Sequence, residues 1–239
     1  MIRCYVGYDP RDDNAFKVCI RSLRKNASVP VEIIPLYDWE LRKKGIYYRG
    51  YRMDGSGQMY DDKDNRPFST QFSFTRFTVP LLEDYGSEWV MFMDADMMWR
   101  SDIAELWDLI DRDKGLMCVH HNQEVKERTK MDGVIQGPNT HGRKNWSSLM
   151  LINPEKSRDL TIYCANNMTG EWLHSLVWMR EEDIGELPEE WNYLVGYSNP
   201  DINPKIVHHT LGTPDMKLKC STEYQEEWWS YLDDKGDIR

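Results

Sequence analysis

Hydrophobic residues follow two different patterns at the start of the chain. Ile2 to Gly7 is a short apolar run typical of a buried β-strand, and Val31 to Leu36 is a second such run. Between these runs, apolar residues recur at the spacing of one helix face, namely at Phe16, Cys19, Ile20 and Leu23. A strand, a helix and a strand in this order predict a parallel sheet that is covered by helices.

The same two patterns alternate through the rest of the chain. Apolar runs predict strands at 89–93, 116–119, 148–152 and 205–208. Helical spacing predicts helices at 72–85, from Asp102 onwards, at 155–166, at 171–180 and at 222–232. Pro80 must kink the first of these helices or begin a new one, because proline has no backbone N–H to donate.

Residues 41–70 interrupt this alternation. They are polar and turn-rich and have no clear period, so they predict a long surface excursion. No internal repeat or linker divides the chain. We therefore interpret residues 1–239 as a single α/β domain.

Composition and charge exclude several classes of protein. The chain has 239 residues with 30 Lys and Arg against 40 Asp and Glu, so its net charge is −10 and binding to nucleic acid or anionic lipid is not expected. Its apolar runs are far shorter than the roughly 20 residues of a membrane span, and its start lacks the apolar core of a signal peptide. Its five cysteines are widely separated, which favours reduced thiols and a cytoplasmic location.

Asp94 and Asp96 are the strongest candidates for chemistry. Two other D-x-D triplets occur, at 62–64 and 111–113, but only 94–96 directly follows a buried strand, where open α/β sheets bind their ligands. Two carboxylates on the same side of an extended segment repel each other, and a cation such as Mn²⁺ or Mg²⁺ would relieve that repulsion. Such a cation could also neutralise a departing diphosphate. From position alone, capping of the following turn is an equally good interpretation.

An ordered series of segments resembles the family 8 nucleotide-sugar glycosyltransferases. The segments are 89–97 with 102–107, 74–82, 146–153, 187–192 and the H-x-x-G sequence at 209–212. The resemblance implies a GT-A fold, which is a Rossmann-like, mixed but mainly parallel sheet flanked by helices. It also implies a nucleotide-sugar donor, most often UDP-linked, an Mn²⁺ or Mg²⁺ ion, and transfer with retention of configuration. Residues 1–119 would form the nucleotide-binding half and residues 120–239 the acceptor-side half.

The resemblance also implies roles for individual residues. Asp94 and Asp96 would bind the metal with His209 as the third ligand, whereas His208 would turn away, because adjacent residues of a strand face opposite sides. Arg76 would act in catalysis by pairing with Asp94 or with the diphosphate. The donor-binding residues would be Gly7, Tyr8, Asp9, Arg76, Asp94, Ala95, Asp96 and Gly212.

Two departures from the family pattern concern charged residues. The family continues H-x-x-G-x-x-K-P-W, whereas this chain has Thr-Pro-Asp-Met-Lys at 213–217, so the phosphate-binding lysine is displaced or absent. The family's acidic–glutamine pair before the L-P segment is also missing. Residues 181–183 are acidic and occupy that region, which makes Asp183 the candidate catalytic or sugar-binding carboxylate.

These observations predict a metal-dependent transferase that moves a sugar to a hydroxyl of a glycan, glycoprotein or glycolipid. Residues 120–145 and the carboxyl-terminal third would hold that acceptor. One alternative is a sugar-phosphate nucleotidyltransferase, although 7–10 is not the glycine-rich basic loop that such enzymes usually carry. The other is a non-catalytic carbohydrate-binding module that uses the tryptophans near the end of the chain.

Overall fold

The computed structural model describes residues 1–122, 127–136, 142–218 and 222–234. Within them the strands are β1 Ile2–Gly7, β2 Val31–Leu36, β3 Tyr51–Met53, β4 Met59–Asp61, β5 Pro67–Phe68, β6 Val90–Met93, β7 Met97–Trp99, β8 Leu116–Val119, β9 Thr129–Lys130, β10 Val134–Ile135, β11 Leu149–Ile152, β12 Ile184–Leu187, β13 Tyr193–Leu194 and β14 Ile206–His208. The α-helices are α1 Asp13–Asn26, α2 Asp38–Lys43, α3 Phe72–Thr75, α4 Val79–Leu82, α5 Ile103–Trp107, α6 Ile162–Asn167, α7 Gly170–His174 and α8 Gln225–Asp233.

Six of these strands form the central sheet, in the order β12–β8–β11–β6–β1–β2. β1 pairs in parallel with β2 and with β6, and β8 pairs in parallel with β12. β11 is antiparallel to both of its neighbours, β6 and β8. Every residue of β6, β8 and β11 is buried, as expected for strands that are covered on both faces. The predicted mixed, mainly parallel sheet flanked by helices is confirmed.

The carboxyl ends of the parallel strands lie at one edge of this sheet, which we call the carboxyl edge. β6 leaves the sheet there through Asp94 and enters β7, which belongs to a second sheet of order β13–β14–β7. β7 is antiparallel to β14, and His208 at the end of β14 lies opposite Met97. The second sheet therefore brings the end of β14 to the residues that follow β6.

The excursion at 41–70 is more ordered than its sequence predicts. It contains α2 and an antiparallel sheet of order β3–β4–β5. At its centre Arg49 and Asp61 form an ion pair at 2.5 Å, and both side chains are 1% exposed. The Arg49 guanidinium also lies 4.1 Å from the centre of the Phe74 ring. Because this segment is organised around a buried ion pair as well as apolar side chains, no hydrophobic period revealed it.

Other predicted elements differ mainly in their bounds. The helix expected at 72–85 is broken into α3, a 3₁₀ turn at 76–78 and α4, and Pro80 lies in the first turn of α4, where no N–H is needed. The helices expected at 155–166 and 171–180 shorten to α6 and α7, and the short strands β7 and β12 were not predicted. Among the described residues, no helix has the length and apolar character needed to cross a bilayer.

Candidate active site at the carboxyl edge

Asp94 and Asp96 occupy the turn between β6 and β7. The Asp94 N–H donates to the carbonyl oxygen of Ser148 at 2.8 Å, which fixes the start of the turn against β11. The intervening Ala95 is 1% exposed, so only a small side chain fits there. A carboxylate oxygen of each aspartate and a ring nitrogen of His208 all lie within 4.8 Å of one another. The turn therefore presents two carboxylates and an imidazole to one small volume.

Arg76 holds the first of these carboxylates. Its Nη2 lies 2.8 Å from Asp94 Oδ1, and both side chains are largely buried. Its other nitrogens donate within the protein, Nη1 to the carbonyl oxygen of Ser147 at 2.7 Å and Nε to that of Phe72 at 3.3 Å. Burial raises the pKa of Asp94 to about 6, although the charge of Arg76 opposes this rise. Arg76 is thus held by two backbone carbonyl oxygens while its third nitrogen pairs with Asp94.

His208 faces Asp96, so the prediction that it turns away is wrong. Ser148 Oγ donates to the Asn145 carbonyl oxygen and therefore accepts from Asn192 Nδ2. This orients Asn192 Oδ1 to accept from His208 Nδ1 at 2.8 Å and leaves His208 Nε2 3.3 Å from Asp96 Oδ1. The lone pair of His208 Nε2 and the Asp96 carboxylate oxygen repel each other at this distance unless a proton or a cation lies between them. β14 ends at His208, which lies opposite Met97, the residue directly after Asp96. The pairing of β14 with β7 therefore brings the His208 ring to Asp96.

His209, the predicted third ligand, is bonded to Asp96 through its backbone, whereas the ring that lies within 4.8 Å of both carboxylates is that of His208. The His209 N–H donates to the Asp96 carbonyl oxygen at 3.0 Å, and its side chain is completely buried. Neither ring nitrogen has a hydrogen-bond partner among the described residues. Burial lowers the pKa of His209 to about 4, so the ring is neutral at pH 7. A neutral imidazole with unpaired nitrogens is the form that binds metal.

The electrostatics of Asp96 favour an ionised carboxylate. Burial is the largest single influence and opposes its ionisation, but His208, Lys130 and His209 together outweigh burial and lower the pKa of Asp96 to about 2. Two carboxylates beside unpaired imidazole nitrogens form a donor set that suits a hard divalent cation such as Mn²⁺ or Mg²⁺. The residues at the carboxyl edge therefore fit the metal that the resemblance implies.

Gly7 and Asp9, at the end of β1, lie at this edge but have different structural roles. A Cβ at Gly7 would lie 2.5 Å from Phe72 Cγ, so glycine is needed there for packing. Asp9 is completely buried, and its carboxylate accepts hydrogen bonds from Arg11 and from the Gln71 N–H. The Asp9 side chain therefore shapes the turn and is not free to face a donor.

Tyr8 belongs to an aromatic cluster at the ends of β1 and β2. Its ring makes edge contacts with Tyr37 and Trp39, whose own rings stack at 4.6 Å. Trp39 is 48% exposed, so one ring of the cluster remains open to solvent. Sequence reasoning missed Tyr37 and Trp39, although their position directly after the second parallel strand could have identified them.

Gly212 makes a tight turn after His209. Its φ angle of 144° lies in a region that favours glycine, and its N–H donates to the His209 carbonyl oxygen at 2.9 Å. The neighbouring Leu211 carbonyl oxygen accepts from the Met131 N–H. The H-x-x-G segment therefore turns tightly and is bonded to the residue that follows β9.

Asp183 lies at the opposite edge of the sheet, so the structure does not support its predicted catalytic role. It precedes β12, whose first residue, Ile184, aligns through β8 and β11 with Val90 at the start of β6. Asp94 follows the end of β6. The Asp183 carboxylate is instead ion-paired with Arg180 at 2.6 Å. The acidic run at 181–183 occupies the sequence position of the family's acidic–glutamine pair but lies at the edge of the sheet opposite Asp94.

One cavity lies beside Asp94, and a second lies at the carboxyl ends of β8 and β12. The first, of about 130 Å³, is lined by Arg76, Asp94, Ser147, Ser148, Glu171 and His174 among others. The second, of about 620 Å³, opens at the ends of β8 and β12 and is lined in part by His120, His121, Glu186, Glu189, Tyr197 and Asn199. Of the predicted acceptor stretch 120–145, residues 123–126 and 137–141 lie outside the described residues.

Two histidines give the second cavity its polar wall. His120 stacks on Trp146 with ring centres 4.0 Å apart, and its Nδ1 lies 3.9 Å from Glu186. His121 is 4% exposed, and neither of its ring nitrogens has a partner among the described residues. Burial lowers the pKa of His121 to about 3, so its ring is neutral. A buried polar group without a partner is costly, and a ligand hydroxyl would satisfy it.

The chain has the fold of the GT-A glycosyltransferases. Its structure is similar to the bifunctional glycosyltransferase WbbM (TM-score 0.61, 14% identity, 98% of this chain and 50% of WbbM). It is also similar to the glycosyltransferase GlyE of Streptococcus pneumoniae (TM-score 0.56, 14% identity, 97% of this chain and 61% of GlyE). The galactosyltransferase LgtC is matched over its whole fold (TM-score 0.56, 11% identity, 100% of this chain and 98% of LgtC). The chain thus spans only about half the length of WbbM.

The chain itself belongs to the family of Protein CDI from Arabidopsis thaliana. The two sequences are 41% identical, and the match covers 97% of this chain and 86% of the plant protein. A scan against protein-family models finds no match.

Proposed function

We propose that this protein is a metal-dependent glycosyltransferase that moves a sugar from a nucleoside diphosphate, most simply UDP, to an acceptor hydroxyl. The observation that carries the proposal is the meeting of Asp94, Asp96 and His208 at the carboxyl edge of a GT-A sheet, with the unpaired ring of His209 alongside. Asp94, Asp96 and one or both histidines would hold Mn²⁺ or Mg²⁺. The ion would supply positive charge to the departing diphosphate.

The surrounding residues would orient the donor and keep the site in place. Arg76 fixes Asp94, and Asn192 fixes the ring of His208. Tyr8 and Trp39, at the ends of β1 and β2, would contact the nucleoside. The small cavity next to Asp94 would hold the donor sugar. Because this cavity lies beside the proposed position of the departing diphosphate, an acceptor entering from the same side would give retention, as in the family that the sequence resembles.

We further propose that the second cavity holds the acceptor. His121 could exchange hydrogen bonds with a sugar hydroxyl, and the carboxylates of Glu186 and Glu189 would accept others. After burial, the charge of His208 contributes to the lowered pKa of His121, which supports an acceptor position near the proposed metal site. The acceptor would then be a neutral, hydroxyl-rich group of a glycan, glycoprotein or glycolipid, because the acidic lining disfavours an anionic one.

The two alternative functions have less support. A carbohydrate-binding module would use the terminal tryptophans, but Trp228 is 1% exposed and packs in the core formed with α1. A nucleotidyltransferase would release pyrophosphate from a nucleoside triphosphate and a sugar phosphate. The cytoplasmic location remains a prediction.

A screen of nucleotide sugars tests the proposed function without a known acceptor. We expect purified protein with Mn²⁺ to hydrolyse one of them slowly to free nucleoside diphosphate, measured by chromatography, and chelation of the ion to stop the release. Parallel incubation with nucleoside triphosphates and sugar phosphates should give no pyrophosphate. Release of pyrophosphate, or no metal-dependent release from any nucleotide sugar, would contradict the proposal.

Replacing His121 with alanine tests the assignment of the acceptor cavity. Since His121 lies in the second cavity and not against Asp94, we expect donor hydrolysis to be unchanged. Transfer to an acceptor found by screening neutral oligosaccharides should fall about tenfold or more, because the variant loses a hydrogen bond in a buried site. Both rates should be measured on the same preparation. An equal fall of hydrolysis and transfer would show that the cavity does not serve the acceptor specifically.

A further inference from the structure

The cavity beside Asp94 is rich in basic residues although the protein is acidic. Its lining includes Arg66, Arg76, Lys130, Arg143 and Lys144. Its acidic lining residues are Asp61, Asp64, Asp94 and Glu171. Three of these four carboxylates are already paired with arginine, Asp61 with Arg49, Asp94 with Arg76 and Glu171 with Arg66. Of the other lining cations, Arg143 is paired with Glu181, and burial lowers the pKa of Lys144 to about 7. Lys130 is therefore the lining cation that can offer its positive charge to an anionic ligand.

Arg76 is not the residue that can meet such a ligand. All three of its guanidinium nitrogens are engaged, with Asp94, with Ser147 and with the carbonyl oxygen of Phe72. A diphosphate that took Arg76 would leave the buried carboxylate of Asp94 without its partner, which is costly. Another cation must face the phosphates.

Lys130 is placed for this role by the hairpin that β9 and β10 form. The Met131 N–H donates to the Leu211 carbonyl oxygen, in the loop after His209. The Ile135 N–H donates to Gln58 Oε1 at 2.7 Å, and Asp132 Oδ1 accepts from the N–H groups of Lys217 and Leu218. The hairpin is thus held between the 41–70 excursion and the H-x-x-G loop, across the carboxyl edge.

The Lys130 ammonium lies close enough to the acidic site to act on it. Its charge lowers the pKa of Asp12, of Asp94 and of Asp96, although burial and neighbouring groups have larger effects on each. Yet the Lys130 ammonium forms no hydrogen bond or ion pair with any residue that the structure describes. It is a half-buried cation that lines the cavity and whose three N–H donors remain to be used.

We propose that Lys130 binds the diphosphate of the donor. This inference rests on the proposed function, and it assigns to the β9–β10 hairpin the phosphate contact that the H-x-x-G segment lacks. Lys217 is exposed, and its backbone N–H donates to Asp132 in the turn of the hairpin, so Lys217 supports the hairpin through its backbone. The donor's phosphates would lie between the metal site and Lys130, with charge-assisted hydrogen bonds to the ammonium.

The proposal makes opposite predictions for two ligands. Lys130 repels a divalent cation that binds alone but attracts a diphosphate. Replacing Lys130 with methionine keeps the length of the side chain and removes its charge. We expect UDP, titrated calorimetrically in the presence of saturating Mn²⁺, to bind about ten- to a hundredfold more weakly to this variant. Mn²⁺ alone, followed by its electron paramagnetic resonance signal, should bind as tightly as before or more tightly.

Matched variants separate this role from a structural one. Lys130→Arg keeps the charge and should retain most of the UDP affinity. Lys217→Met and Lys114→Met, the second at the opposite edge of the sheet, should bind UDP like the unmodified protein. Uridine, which lacks phosphates, should bind Lys130→Met and the unmodified protein equally.

Each outcome distinguishes the inference from the proposed function. If the unmodified protein shows no Mn²⁺-dependent binding of UDP, the UDP-linked function fails and the inference fails with it. If that protein binds UDP and Lys130→Met binds it equally well, the inference alone is wrong. Equal weakening of UDP, uridine and Mn²⁺ would show that Lys130 only supports the local structure, and would also overturn the inference.

Discussion

Replacing Asp96 with asparagine should lower metal-dependent release of nucleotide by roughly two to three orders of magnitude. The substitution removes the charge of a proposed metal ligand, which would contribute several kcal/mol of charge stabilisation, and about 1.4 kcal/mol corresponds to tenfold in rate. The fold should survive, because His208 keeps its hydrogen bond to Asn192 and the turn keeps its backbone contacts. Initial rates with the best donor from the screen, and the temperature of unfolding, measure the two effects separately.

A matched control for this substitution is available in the same chain. Asp113 is the second aspartate of another D-x-D triplet, is exposed, and lies before β8 at the opposite edge of the sheet. Asp113→Asn should leave nucleotide release and Mn²⁺ binding unchanged. If Asp96→Asn retained full metal-dependent release, or if both variants lost it equally, Asp96 could not be a metal ligand.

The predictable part of the fold is the part that hydrophobic patterns determine. β1, β2 and β8 have the predicted bounds, because a short apolar run between turn residues marks a strand. β8 is buried throughout, as expected for a strand that is covered on both faces. Parallel strands then bring their carboxyl ends together, so the place of Asp94 and Asp96 followed from the sequence. The buried strand that precedes residues 94–96 therefore distinguished this D-x-D triplet from the other two, which the motif alone could not do.

The parts that were missed depend on contacts between distant segments. Arg49 and Asp61 organise the excursion through a buried ion pair that no periodicity records. The direction of the His208 side chain is set by the pairing of β14 with β7, a strand too short to be predicted. The role of Asp183 was predicted from its position before the L-P segment. That position in the sequence does not show at which edge of the sheet the residue lies.

The pairing of Arg76 with Asp94 should account for a large share of stability as well as for positioning. Both side chains are largely buried, and removing one partner of such a pair leaves an uncompensated charge in the interior. We expect Arg76→Met alone, and Asp94→Asn alone, each to lower the free energy of unfolding by about 3–5 kcal/mol. Chemical denaturation of the metal-free protein measures both values.

The double variant Arg76→Met/Asp94→Asn distinguishes the structural role of this pair from its role in the site. With neither charge present, no ion is left buried and unpaired, so the double variant should be more stable than either single variant. Metal-dependent nucleotide release should nevertheless remain lost, because the proposed ligand Asp94 is still absent. Additive losses of stability would mean that the two charges do not interact in solution. Recovery of release together with stability would mean that Asp94 serves only to neutralise Arg76, and the metal site would then have to be built from Asp96 and the histidines.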